Sequence, residues 1–160
     1  SLVAEMYGIL LDGVRDGGQN NITKLYENHK DAFPEQALVE ERTLEVANVV
    51  QTLLGELATE PIAGSPHALM LFAAVAHAKY GLAPGQLTGP ELTLPEGPLS
   101  DEALACDNMK LINEVLALDE APKGWATFWS ASKSTTQRIA SRRARFPVYL
   151  RALGPRPLVP

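Results

Sequence analysis

Ser65-Pro66-His67-Ala68-Leu69-Met70-Leu71-Phe72-Ala73-Ala74-Val75-Ala76-His77-Ala78-Lys79-Tyr80-Gly81 is the stretch on which the fold turns. Ser followed by Pro is a helix-start signature, because Ser caps free amides and Pro fits the first helical position. Gly81 stands just past the end, where a left-handed stop is common. Between them Ala68 to Tyr80 is apolar nearly all round, so the spacing predicts a helix covered on every side. Ala68 to Ala78 is also the longest apolar run, and His77 and Lys79 end it short of the eighteen residues a membrane span needs.

A helix of that kind needs other helices around it, and the flanking sequence supplies them. Upstream, Leu2, Val3, Met6, Tyr7, Leu10, Leu11 and Val14 recur at three-to-four spacing until Gly13 and Asp16-Gly17-Gly18 stop the pattern. Asn20 or Asn21 offers a cap for a short helix carrying Ile22, Leu25 and Tyr26. Phe33-Pro34 opens a third, with Leu38, Arg42, Val46, Val49, Val50, Leu53 and Leu54 as its inner stripe up to Gly55. Downstream, residues 82–99 form a loop rich in Pro and Gly, long for a compact domain. Ser100 is placed to cap a helix bearing Leu104, Leu111, Ile112, Val115 and Leu116. Pro122 begins another, anchored by Trp125, Phe128 and Trp129. Thr135 or Thr136 can cap a last helix, which Phe146-Pro147 kinks or restarts. No period-two strand pattern and no internal repeat stands out. The expectation is an all-α fold: one domain over residues 1–160, an irregular bundle of about seven helices around a central apolar one.

Composition excludes several classes. The chain has 160 residues, of which 46% are hydrophobic and 21% charged, an ordinary balance for a globular domain. Cys106 is the single cysteine, so no internal disulfide is possible and a reducing, cytoplasmic setting is expected. His29, His67 and His77 lack the spacing of a metal site, and Cys106 has no second thiolate beside it. Gly64-Ser65-Pro66 is not a nucleophile elbow, and Gly13, Gly17 and Gly18 form no nucleotide fingerprint. No catalytic residue and no cofactor are expected. Residue 1 enters directly into a helical pattern, which is the expectation for a segment of a longer protein.

Charge is where the sequence speaks of function. Residues 1–120 hold all nineteen acidic residues and six basic ones, whereas residues 121–160 hold eight basic residues and no acid. Ser130-Ala131-Ser132-Lys133-Ser134-Thr135-Thr136 puts hydroxyls and amides at the mouth of the last helix, a place that suits an anion. Arg138, Arg142 and Arg145 follow at four- and three-residue spacing, on one helix face, with Arg143 beside them. Two roles are open to Lys133, Thr135, Thr136 and these four arginines. They contact nucleic-acid phosphates from an exposed face, or they pair with the acidic helices of the same chain.

Leu2-Val3-Ala4-Glu5-Met6-Tyr7-Gly8-Ile9-Leu10-Leu11-Asp12-Gly13, then Ile22-Thr23-Lys24-Leu25-Tyr26, then Ser132 to Arg143 with Thr135-Thr136, Arg138 and Arg142, occur in an order that resembles modification-dependent restriction proteins of the GmrSD type. The resemblance spans most of the chain. In that family the catalytic ParB-like domain carries an Asp-Gly-Gln-Gln-Arg type motif, and some members add a His-Asn-His module. Neither motif occurs here. The resemblance therefore implies a helical accessory region of a DNA-targeting defence nuclease, contacting DNA backbone or its own catalytic domain. The alternative is a structural or protein-interaction module with no nucleic-acid role.

Overall fold

In the computed structural model, residues 1–18, 23–24, 27–28 and 35–160 are described. Six α-helices and three short 3-10 turns lie among them, with no strand. The helices are α1 (Leu2–Asp12), α2 (Gln36–Leu54), α3 (Ser65–Tyr80), α4 (Glu102–Ala117), α5 (Ala126–Ala131) and α6 (Ile139–Ala152). The all-α expectation holds, with six of the about seven expected helices lying among the described residues. The short helix expected at Ile22, Leu25 and Tyr26, the Phe33-Pro34 start and His29 fall outside the described residues.

Leu69 to Ala76 are eight consecutive buried residues, with Met70 to Ala76 each at 0% exposure. Ala73, Ala74 and Ala76 let neighbouring backbones come close, and Phe72, Met70 and Leu69 fill the space between. α3 packs against α6, α2 and α1. α2 presents Val39, Val46, Val50, Leu53 and Leu54 inward, whereas Leu38 points outward and Arg42 lies over the Tyr80 ring at 4.4 Å. The expected inner stripe of α2 was thus rotated by about one residue at its N-terminal end. Trp125, Phe128 and Tyr149 stack edge to face, and so join α5 to α6.

Several helix starts differ from the sequence expectation, each for a local reason. α3 has Gly64 at its cap with Ser65 already helical. Asp101 rather than Ser100 caps α4, accepting from the Leu104 amide at 3.0 Å, while the Ser100 hydroxyl donates to the Gly97 carbonyl. Residues 121–125 turn before α5 instead of starting it. α6 runs unbroken through Pro147. Its ring costs one helical hydrogen bond, and dense packing of Phe146, Val148, Tyr149 and Leu150 outweighs that loss.

The link after α1 depends on close backbone contact. Gly13 has φ 81, and a side chain there would meet the Ala83 carbonyl oxygen at 2.2 Å. Gly85, at φ 58, approaches Val14 in the same way. This pairing holds residues 13–16 against the 82–99 loop, and the Gln86 amide donates to the Val14 carbonyl at 2.8 Å.

Phe72→Ala should lower the unfolding free energy by about 3–5 kcal/mol, because it empties a fully buried site. Leu44→Ala, at a residue 67% exposed, should change it by less than about 0.5 kcal/mol. Urea unfolding followed by circular dichroism measures both.

Candidate functional site: the basic segment before and within α6

Of the arginines expected on one exposed face, Arg142 and Arg145 share a face of α6 that points inward, whereas Arg138, at its N-cap, is exposed. In α6 the stripe Arg142, Arg145, Tyr149 and Ala152 is buried throughout, with Arg142 at 5% and Arg145 at 0% exposure. The spacing that aligns the guanidiniums also aligns them with the core side of the helix. The exposed row is therefore corrected to two buried arginines, with Arg138 and Arg143 outside.

Each cation has a partner within the chain. Arg145 donates through Nε to the Ser141 hydroxyl at 3.0 Å. Its two terminal nitrogens donate to the Pro66 carbonyl at 3.0 Å and the Thr136 carbonyl at 2.7 Å. Burial, opposed in part by Tyr149, draws its pKa down to about 10, so it stays charged at neutral pH. Arg142 donates to the Arg15 carbonyl at 2.8 Å and to both Glu5 carboxylate oxygens at 3.3 and 3.1 Å. Arg143 meets the two oxygens of Glu91 at 3.1 and 3.2 Å. Lys133 donates to the Leu116 carbonyl at 2.8 Å, with its ammonium 4.9 Å from the centre of the Trp129 ring. Arg138 lies 3.6 Å from Asp16, with the arginine exposed and the aspartate half-buried.

The helix mouth, expected to be open to an anion, already holds one. Asp16 reaches across from the segment after α1, and its Oδ1 accepts the Ile139 amide at 2.8 Å. The Gly17 amide donates to the Gln137 carbonyl at 2.8 Å, which fixes the segment in place. Asp16 thus caps α6 from 123 residues away, where Thr135 or Thr136 was expected to do so. Thr135 instead adopts φ 51, and Thr136 contributes its carbonyl to Arg145. A carboxylate at a helix N-terminus is favoured by the same dipole that would attract phosphate.

Sequence reasoning missed Asp16, Glu5 and Glu91. Asp16 looked only like part of a turn, and Glu5 like one solvated acid on a helix. Nothing local marks either as the partner of a residue over a hundred positions away. Cys106 remains an isolated thiol whose pKa is raised by burial, with its Sγ 3.8 Å from the Thr52 carbonyl. That environment disfavours the nucleophilic thiolate.

His67, in the first turn of α3, adds a pH dependence. Its pKa is lowered to about 4, first by burial and then by Arg145 and Lys133. The unfolded chain takes up this proton near 6.5, before the folded one does. Stability from neutral His67 is therefore full above pH 6.5 and is lost as pH falls from 6.5 to about 4. His67→Gln should flatten the melting temperature across that interval, and a scan from pH 7 to 4 measures it.

Arg145→Met should cost about 2–4 kcal/mol, since the Pro66 and Thr136 carbonyls lose their donor. Arg138→Ala should cost at most about 1 kcal/mol. Chemical denaturation of the two variants tests this ordering. No protein-family model, curated protein or solved structure matches this chain.

Proposed function

We propose that this chain is a helical accessory domain of a DNA-targeting restriction or defence protein, organised around α3. Its task is to hold and dock protein parts rather than to grip DNA. Chemistry, in this reading, belongs to another domain of the parent protein. The support for membership is the ordered resemblance of the α1 segment and of Ser132 to Arg143. The support for docking over DNA contact is one observation: the Asp16 carboxylate occupies the α6 mouth that a phosphate would need. The four arginines and Lys133 are engaged within the chain, so a phosphate backbone would have to displace internal partners.

A second reading keeps the DNA contact. Arg138 and Arg143 have side chains 63% and 46% exposed, which a phosphate could reach from solvent. The acidic surface of residues 1–120 opposes that approach. Among the described residues no helix is long and apolar enough to cross a membrane.

Fluorescence anisotropy with labelled duplex DNA over a salt series tests the choice. The docking reading expects weak binding that Arg138→Ala/Arg143→Ala leaves unchanged. Tight binding whose salt slope falls by about two units in that double variant would establish the DNA reading instead.

A further inference from the structure

Once the paired cations are set aside, the basic residues after position 120 reduce to Lys123, Arg151 and Arg156. Among the described residues no ion pair engages them. Arg151 and Arg156 line one groove of about 350 Å³, between the tail after α6 and the Pro95-Glu96 turn. Pro95, Pro157 and Val159 give it apolar walls, and Val159 is 68% exposed.

The groove is built rather than incidental. Asn108, buried in α4, donates to the Ala152 carbonyl at 3.1 Å and the Arg156 carbonyl at 3.0 Å, and it accepts the Leu158 amide at 2.9 Å. Leu158 is buried, so the tail on either side of Pro157 is anchored. On the opposite wall, a side chain at Gly154 would meet Pro95 at 2.9 Å. Both guanidiniums are thus presented from a fixed backbone, which lowers the ordering cost of binding.

We propose that this groove docks an acidic peptide segment of a partner protein, with carboxylates on Arg151 and Arg156 and apolar side chains against Pro95, Pro157 and Val159. Charge complementarity supports this occupant, since a planar guanidinium matches a carboxylate in two-point geometry. Glu96 in the same wall disfavours a nucleic-acid backbone, which brings closely spaced charge that cannot avoid it, whereas a peptide can space its acids. The assignment rests on the docking reading above and gives it a location.

The probe is a short fluorescein-labelled peptide in which glutamates alternate with leucine and proline, titrated at low salt against the whole chain. Saturable binding that weakens about tenfold or more in Arg151→Ala/Arg156→Ala, with an unchanged melting temperature, supports the groove. Lys79→Ala/Lys110→Ala removes equal charge outside the groove lining and should bind as the parent does. Equal weakening in both double variants, no effect of the groove variant, or no saturable binding overturns the groove and leaves the docking reading standing. An oligonucleotide that binds more tightly than the peptide, and loses that binding in the groove variant, overturns both.

Discussion

Arg145 carries a full charge into the interior, and the junction of α3, α6 and the Ser132–Gln137 segment is arranged around that fact. A buried guanidinium is costly unless most of its donors are met. Here they are met by the Ser141 hydroxyl and by the carbonyls of Pro66 and Thr136. The Pro66 carbonyl belongs to the first turn of α3, and the Thr136 carbonyl to the approach to α6. One side chain thereby ties the start of the apolar helix to the start of the last one. Tyr149, wholly buried with its hydroxyl pKa raised by burial, packs one turn further along the same stripe.

The split of charge along the chain becomes intelligible on the same terms. A basic segment without a single acid needs counter-charges from elsewhere, and α1 and the turn after it provide them. Glu5 joins Arg142 inside, where the screening that weakens surface pairs is reduced. Asp16 caps α6, and Glu91, on the 82–99 loop, takes Arg143. Glu91 would be pushed up in pKa by burial, but Thr88 and Arg143 outweigh that and the net shift is downward. The acidic and basic halves are complementary parts of one fold, linked by pairs more than fifty residues apart.

The helices were readable because periodicity and punctuation are local. Leu69 to Ala76, Ile112 with Val115 and Leu116, and Phe128 are buried where the pattern put them. Caps were less readable: Asp101 competed with Ser100 one residue away, and Asp16 came from the other end of the chain. Arg142 and Arg145 were the hardest, because periodicity assigns residues to a face without saying which way that face points. Arginine biases the guess outward, while Phe146, Tyr149 and Leu150 at interleaved positions determine the inward answer. Pro147 likewise suggests a break that tertiary packing overrides. Pairing within the chain was one of the two roles open to these cations, and the partners of Arg142 and Arg138, Glu5 and Asp16, lie too far along the chain to be read from local sequence.

The central claim is that the basic segment spends its charge on the chain's own fold. A double-mutant cycle on Glu5 and Arg142 tests it most directly, using urea unfolding of the parent, Glu5→Gln, Arg142→Met and the combined variant. The account predicts a coupling of about 1 kcal/mol or more, as for a pair whose arginine is buried. Effects that add to within about 0.3–0.5 kcal/mol would contradict it, and would show that the Glu5–Arg142 pair contributes nothing to the fold.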